Sequence, residues 1–145
     1  YLDYLATENI IAATAWSGDI TVIYYEQATD EDPEPFGLVF PDTGATLWAD
    51  EFIVPMGATH KRNVEELINY YYDPVNAAEL ALWVNYITPV VGAKEIAAQE
   101  VPELAENQLI FPNEETLAKS FAFRSLTGQE EQRYSTAWQN LLLGA

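Results

Sequence analysis

Ile10-Ile11-Ala12-Ala13-Thr14-Ala15-Trp16-Ser17-Gly18-Asp19-Ile20-Thr21-Val22-Ile23-Tyr24-Tyr25 is the stretch whose conformation settles what kind of fold follows. Residues 10–15 form a short apolar run that ends at Trp16-Ser17-Gly18-Asp19, the pattern of a buried strand running into a turn. Residues 20–25 are β-branched and aromatic, and propensity alone makes them a second strand. Working outward, residues 29–35 read as a solvated acidic loop carrying Asp30, Glu31, Asp32 and Glu34. Residues 36–40 read as another short strand, closed by the turn residues Pro41-Asp42-Thr43-Gly44. Residues 47–55 are again strand-like, with Asp50 and Glu51 set inside an apolar frame.

Beyond this point the period changes. Val64, Leu67, Ile68, Tyr71 and Tyr72 recur at helical spacing, and Asn63 with Glu66 predicts a capping box. Asp73-Pro74 stops that helix and opens another, with Asp73 as N-cap and Pro74 at the first helical position. The second helix is expected to run to about Tyr86, where Tyr86-Ile87-Thr88-Pro89 breaks it. A short helix is expected over residues 92–99, and residues 101–112 read as mostly irregular. Asn113 is placed to cap a helix through Lys119. Thr127 with Glu130 forms a second capping-box pair ahead of a final helix whose apolar face carries Tyr134, Trp138, Leu141 and Leu142. There is no internal repeat and no Gly/Ser linker, and the mixture of strands and helices indicates α/β or α+β architecture.

The chain has 145 residues, about one domain's worth, with 6 Lys+Arg against 23 Asp+Glu and a formal net charge of −17. Such a surface repels phosphate backbones, which argues against nucleic-acid partners. It equally lacks the basic clusters that dock on anionic membranes, since Lys61-Arg62 is the only adjacent basic pair. Attraction runs toward cations, although a large negative charge also serves solubility. With 49% hydrophobic residues, including 4 Trp, 9 Tyr and 6 Phe, the chain has the material for a core. The absence of cysteine removes disulfides, thiolate nucleophiles and zinc–thiolate sites, and a single histidine, His60, excludes a multi-histidine metal site. No run of about 18 apolar residues is present to span a bilayer. The opening Tyr-Leu-Asp-Tyr carries no initiator methionine and no signal peptide, which reads as a processed form or a fragment.

Catalytic patterns are hard to find. The surroundings of His60 (Ala-Thr-His-Lys-Arg) do not resemble a nucleophile elbow, and 23 acids always offer carboxylate pairs whose separation sequence cannot measure. No phosphate-cradling glycine loop and no EF-hand loop is present. What remains is a pattern of aromatics beside carboxylates. Trp16 stands next to Ser17-Gly18-Asp19, Trp48 shares a strand side with Asp50 by the two-residue period, and Tyr86 ends a helix. An aromatic face plus a carboxylate is the minimal chemistry for holding an alkylammonium. Each piece alone has an ordinary reading as core or as a helix-end partner.

Three stretches together narrow the choice. Ala15-Trp16-Ser17-Gly18-Asp19, then Gly44-Ala45-Thr46-Leu47-Trp48-Ala49-Asp50 running into Ile53-Val54-Pro55, then Asn85-Tyr86-Ile87-Thr88-Pro89-Val90 resemble, in order and spacing, the extracytoplasmic spermidine/putrescine-binding proteins of ABC transporters. The resemblance covers essentially the whole chain but only the C-terminal part of such a protein. It implies an α/β, type II periplasmic-binding-protein fold of two lobes, with residues 1–46 in the second lobe, 47–95 returning to the first and 96–145 in the second again. It also implies that residues 20–27 are helical, against their composition. Trp16, Trp48, Asp50 and Tyr86 fall on family positions lining the polyamine cleft, with the aromatics sandwiching the methylene chain and Asp50 pairing with an ammonium. The family's glutamine near the last helix falls at Arg124, which cannot accept a hydrogen bond from an amine. The implied partners are a polyamine and a membrane permease, with no cofactor, no metal and no bond made or broken. Lobe surfaces left unpartnered in a partial chain would favour self-association. Two other classes stand beside this reading. One is an acidic interaction domain whose tryptophans are all core, and the other, ranked last, is a carboxylate-dependent hydrolase; a variant of the first reading keeps the fold and binds another small organic solute.

Overall fold

The computed structural model describes residues 1–144. A short helix α1 (Leu2–Ala6) leads through an irregular segment to α2 (Ser17–Gln27), which packs against it. Residues 20–25 are therefore helical, as the family resemblance implies and propensity does not. Two things overcome their β-branched character. The Thr21 hydroxyl donates to the Ser17 carbonyl at 2.8 Å, one turn back, so its burial leaves no donor unmet, and Gly18, Thr21 and Ile23 are buried. Burial outweighs the few tenths of a kcal/mol per residue that helix propensity disputes. The expected strand over residues 10–15 is absent: the segment is irregular and pairs with nothing among the described residues, and Ile11 is fully exposed. An apolar run becomes a strand only when a neighbour takes its hydrogen bonds.

The same physics trims the other strand expectations. Residues 36–40 are irregular, and of residues 47–55 only Leu47 belongs to a strand, β1 (Ala45–Leu47). The partner of β1 is β2 (Ser120–Ala122), parallel and in register Ala45↔Ser120 through Leu47↔Ala122. Gly44 makes the ladder's entry. Its φ is +94°, and a Cβ there would overlap the Lys119 carbonyl oxygen and stand 2.6 Å from Phe121 Cε2. Only glycine supplies both the left-handed backbone and the room.

The packed centre is helical. α3 (Lys61–Tyr71) is followed by α4 (Pro74–Val84), α5 (Ala93–Glu100) and α6 (Pro102–Ala105). α4 begins as its sequence predicts: Asp73 Oδ1 accepts from the Val75 N–H at 2.9 Å, with Pro74 at the first helical position. It ends at Asn85 in the left-handed region, φ 59°, just before Tyr86. Ala77, Ala78 and Ala81 of α4 meet Ala93 and Ala97 of α5, Ala105 of α6, Ile110 and Phe111 in one buried cluster. Small side chains at these positions let the backbones close to a short interhelical distance. α3 starts earlier than its sequence suggests, with His60 as N-cap and no side-chain cap bond, so Asn63 lies in the first turn instead of capping. Residues 101–112, expected to be mostly irregular, are so apart from the four residues of α6.

Neither α3 nor the last helix, α8 (Gly128–Leu143), contains a buried residue. The chain's accessible surface is 11,611 Å², where a compact monomer of its mass has roughly 7,500 Å². Large apolar side chains, among them Leu67, Trp83, Trp138 and Leu141, stand exposed on these helices and on α4.

α7 (Glu114–Ala118) starts on Asn113, whose Oδ1 accepts from the Thr116 N–H at 2.9 Å. α8 opens on the complete capping box that its sequence predicts: Thr127 accepts from the Glu130 N–H, and Glu130 accepts from the Thr127 N–H at 2.9 Å. Arg124 closes a fork on the same carboxylate, with Nη2 to Oε1 at 2.6 Å and Nη1 to Oε2 at 3.2 Å. The guanidinium first, then the Thr127 donors, hold the Glu130 carboxyl down at about 2 from its ordinary 4.5. A depressed acid contributes stability that is complete above its unfolded value and is lost as pH falls through the folded one. The first turn of α8 should therefore fray between about pH 4.5 and about 2. A carboxyl titration of Glu130 by NMR should show its midpoint near 2; a midpoint near 4.5 would mean that the grip is absent in solution.

Candidate functional site

Three aromatic rings from distant segments converge at the N-terminus of α2. Trp16, the N-cap residue of α2, and Trp48, the residue after β1, meet edge-to-face with centroids 5.3 Å apart. Tyr86, beyond the left-handed Asn85 that ends α4, approaches Trp48 at 6.3 Å, again edge-to-face. Edge-to-face pairing is the electrostatically favoured arrangement for such rings and leaves part of each face free. Trp16 is 48% exposed and Trp48 is 41% exposed. None of the four tryptophans, Trp16, Trp48, Trp83 and Trp138, is buried, which removes the reading in which all are core.

The Tyr86 ring is tethered by a carboxylate, Asp19. Asp19 Oδ1 accepts from the Tyr86 hydroxyl at 2.8 Å, and Asp19 Oδ2 accepts from the Tyr1 hydroxyl at 2.8 Å. The Tyr1 oxygen in turn accepts from the Trp16 main-chain N–H at 3.3 Å. Burial, then the hydrogen bond to the Asp19 carboxylate, pushes the Tyr86 phenol up to about 12. The same two causes raise Tyr1. Both phenols therefore remain protonated donors across the physiological range. The one sequence signal for Asp19 was its place in the Trp16-Ser17-Gly18-Asp19 turn; its partners lie 18 and 67 residues away.

Gly18 completes the seat. A Cβ at this position would overlap Cδ2 and Cε2 of the Tyr86 ring and stand 2.6 Å from Cζ. The ring of Tyr86 thus lies flush on the first turn of α2. A cleft of about 380 Å³ between α1 and α2 opens beside it, with Asp3, Asp19, Glu26 and Tyr86 in its lining.

Of the four residues singled out by sequence, the structure brings the rings of Trp16, Trp48 and Tyr86 into contact, while Asp50 is bonded to none of them. Asp50 is exposed, lies outside β1, and makes no hydrogen bond or ion pair among the described residues. The period-two reasoning that put it on the side of Trp48 does not apply, because the strand ends at Leu47. Arg124 is committed to Glu130 and to the Ser125 carbonyl, at 3.0 Å, and serves the start of α8. Among the described residues no group of three or more His, Cys, Asp or Glu side chains has the geometry to hold a metal ion, and no helix is long and apolar enough to cross a membrane.

Comparison with known proteins identifies the family of the chain. The family profile described as bacterial extracellular solute-binding protein matches residues 1–112. The spermidine/putrescine-binding periplasmic protein 1 of Haemophilus influenzae is 29% identical over 126 residues, covering 87% of this chain and 32% of that protein. The spermidine/putrescine-binding periplasmic protein of Escherichia coli K12 is 28% identical over 110 residues, covering 76% and 30%. The putrescine-binding periplasmic protein PotF of the same organism is 24% identical over 144 residues, covering 99% and 38%. The chain thus spans about a third of the length of the curated relatives that it matches. No solved structure matches it. With most of its length under the family profile, the chain belongs to the bacterial extracellular solute-binding proteins.

Proposed function

We propose that this chain is part of the substrate-binding component of an ABC transporter, corresponding to the C-terminal portion of a two-lobe periplasmic-binding-protein fold. It works outside the cytoplasm, capturing a linear polyamine such as putrescine or spermidine for delivery to a membrane permease. The observation that carries this reading is the meeting of the Trp16, Trp48 and Tyr86 rings, the last of them bonded to the Asp19 carboxylate. Ring faces attract an alkylammonium through their quadrupoles, and they cover a methylene chain at the same time. An ammonium taken out of water needs a carboxylate partner, because an unpaired buried charge is very costly. Asp19 accepts from two phenols and keeps lone pairs for an N–H donor, a carboxylate having about four. Asp50, two residues past Trp48 and free of other bonds, is the second acceptor in this proposal. Capture and release require no nucleophile and no general base, which suits a site made of rings and carboxylates. The relatives named for spermidine and putrescine support the choice of ligand class.

Calorimetric titration of the chain with putrescine and with spermidine, at low and at moderate salt, tests the proposal. Saturable one-to-one binding that survives moderate salt is expected, because charges in a partly dry site are screened less than surface charges. Trp48→Ala should weaken it roughly tenfold, the loss of a desolvated cation–π contact, with little change in melting temperature since Trp48 is exposed. Heat that disappears with salt would reduce the interaction to diffuse attraction by the −17 surface and overturn the proposal.

A further inference from the structure

We propose that Tyr1 is a positioning residue of this site: its hydroxyl bridges the Trp16 main chain and the Asp19 carboxylate, fixing the direction in which Asp19 holds Tyr86. The inference rests on the polyamine reading for its functional consequence, but its structural content stands alone.

The geometry is a relay. The Trp16 N–H donates to Tyr1 Oη at 3.3 Å, and Tyr1 Oη donates to Asp19 Oδ2 at 2.8 Å. Asp19 Oδ1 then receives the Tyr86 hydroxyl at 2.8 Å. One phenol oxygen therefore accepts from the residue that carries the first ring and donates to the carboxylate that holds the last. A carboxylate anchored through one oxygen only turns about its Cβ–Cγ bond, a soft and broad torsion. Anchoring both oxygens removes that freedom. Asp19 then presents a set direction to Tyr86 and to any incoming ammonium, and the ordering cost is met before the ligand arrives.

Little else holds α1 in place. The helix has no buried residue and contacts α2 alone among the helices and strands it meets extensively. Tyr1, its N-cap, and Tyr4 within it differ in a useful way: Tyr1 makes both bonds of the relay, whereas the Tyr4 side chain, 62% exposed, makes none among the described residues. A purely packing role for α1 would not distinguish the two hydroxyls.

The experiment compares Tyr1→Phe with Tyr4→Phe in the full chain and completes a double-mutant cycle of Tyr1→Phe with Asp19→Ala. Two readouts are taken: the tryptophan bands of the near-ultraviolet circular dichroism spectrum without ligand, and the affinity for putrescine. Tyr1→Phe should change the tryptophan bands and weaken putrescine binding about threefold to tenfold, the usual net worth of one intramolecular hydrogen bond. Tyr4→Phe should do neither. With Asp19→Ala already present, Tyr1→Phe should lose most of its effect, because the hydroxyl then keeps only the Trp16 N–H. Identical spectra and affinities for Tyr1→Phe and Tyr4→Phe, or additive effects in the cycle, would overturn the proposal. Should the parent chain bind no polyamine, the polyamine reading fails by itself, and the spectral cycle still decides the role of Tyr1.

Discussion

Gly18→Ala is expected to destabilise the chain by about 1–3 kcal/mol, the range for forcing a methyl group into occupied space, and to remove polyamine binding with it. The direction is the informative part. Gly18 lies in the first turn of an 11-residue helix, and at an unobstructed helical position alanine is favoured over glycine by up to about 1 kcal/mol. The structure reverses that sign because the new Cβ would overlap the Tyr86 ring. Tyr86 would have to lift off α2, breaking its bond to Asp19 and its edge contact with Trp48. Denaturant titration of Gly18→Ala in two backgrounds checks the mechanism. With Tyr86→Ala already made, the same substitution should become neutral or stabilising. A loss that persists in that background would show that Tyr86 is not what fills the space.

Ile110→Ala is expected to cost about 2–5 kcal/mol, the range for truncating a buried aliphatic side chain. Ile110 is fully buried, and it is the bulkiest side chain so completely enclosed. Around it the core is almost entirely alanine, six residues from α4, α5 and α6, with only Phe111 of comparable size. Alanines have no rotamers with which to fill a cavity, so only Leu82, Val90, Ile96 and Leu104 at the margin of the cluster can shift toward the space. Set against a typical total stability of about 5–15 kcal/mol, the substitution should lower the denaturant midpoint by a large fraction. Leu117→Ala, on an exposed position of α7, serves as the reference and should change the midpoint little. Equal midpoints for the two variants would show that the alanine cluster is not the core that holds the chain together.

What the sequence disclosed followed the range of the interactions involved. Asp73-Pro74 and Thr127 with Glu130 mark helix starts that the structure reproduces, because a cap bond joins residues two or three apart. Asn63 with Glu66 has the same spacing and caps nothing, since hydrogen bonding in α3 already begins at the His60 carbonyl. Residues 10–15 and 36–40 have the composition of strands and form none, because pairing depends on a neighbour that local composition does not contain. β2, the partner that β1 does find, carried no signal beyond three ordinary residues, Ser120-Phe121-Ala122. The site divides in the same way. Trp16, Trp48 and Tyr86 were reached through resemblance to a family, and the rings do meet. Asp19 was in view beside Trp16, but the two phenols that give it a role are brought to it only by the fold.

The three-residue ladder between β1 and β2 has a kinetic consequence. Its partners Ala45 and Ser120 are separated by 75 residues along the chain. Bringing such distant points together costs roughly 4 kcal/mol in loop entropy when the intervening chain is disordered. Most of that cost disappears once α3 through α7 have formed and drawn the ends close. Pairing of this kind belongs late in folding, after local helices have condensed. Trp48 follows the last residue of β1 directly. The ring that joins Trp16 to Tyr86 is therefore among the last groups to find its place, and the aromatic wall is a product of the closing step.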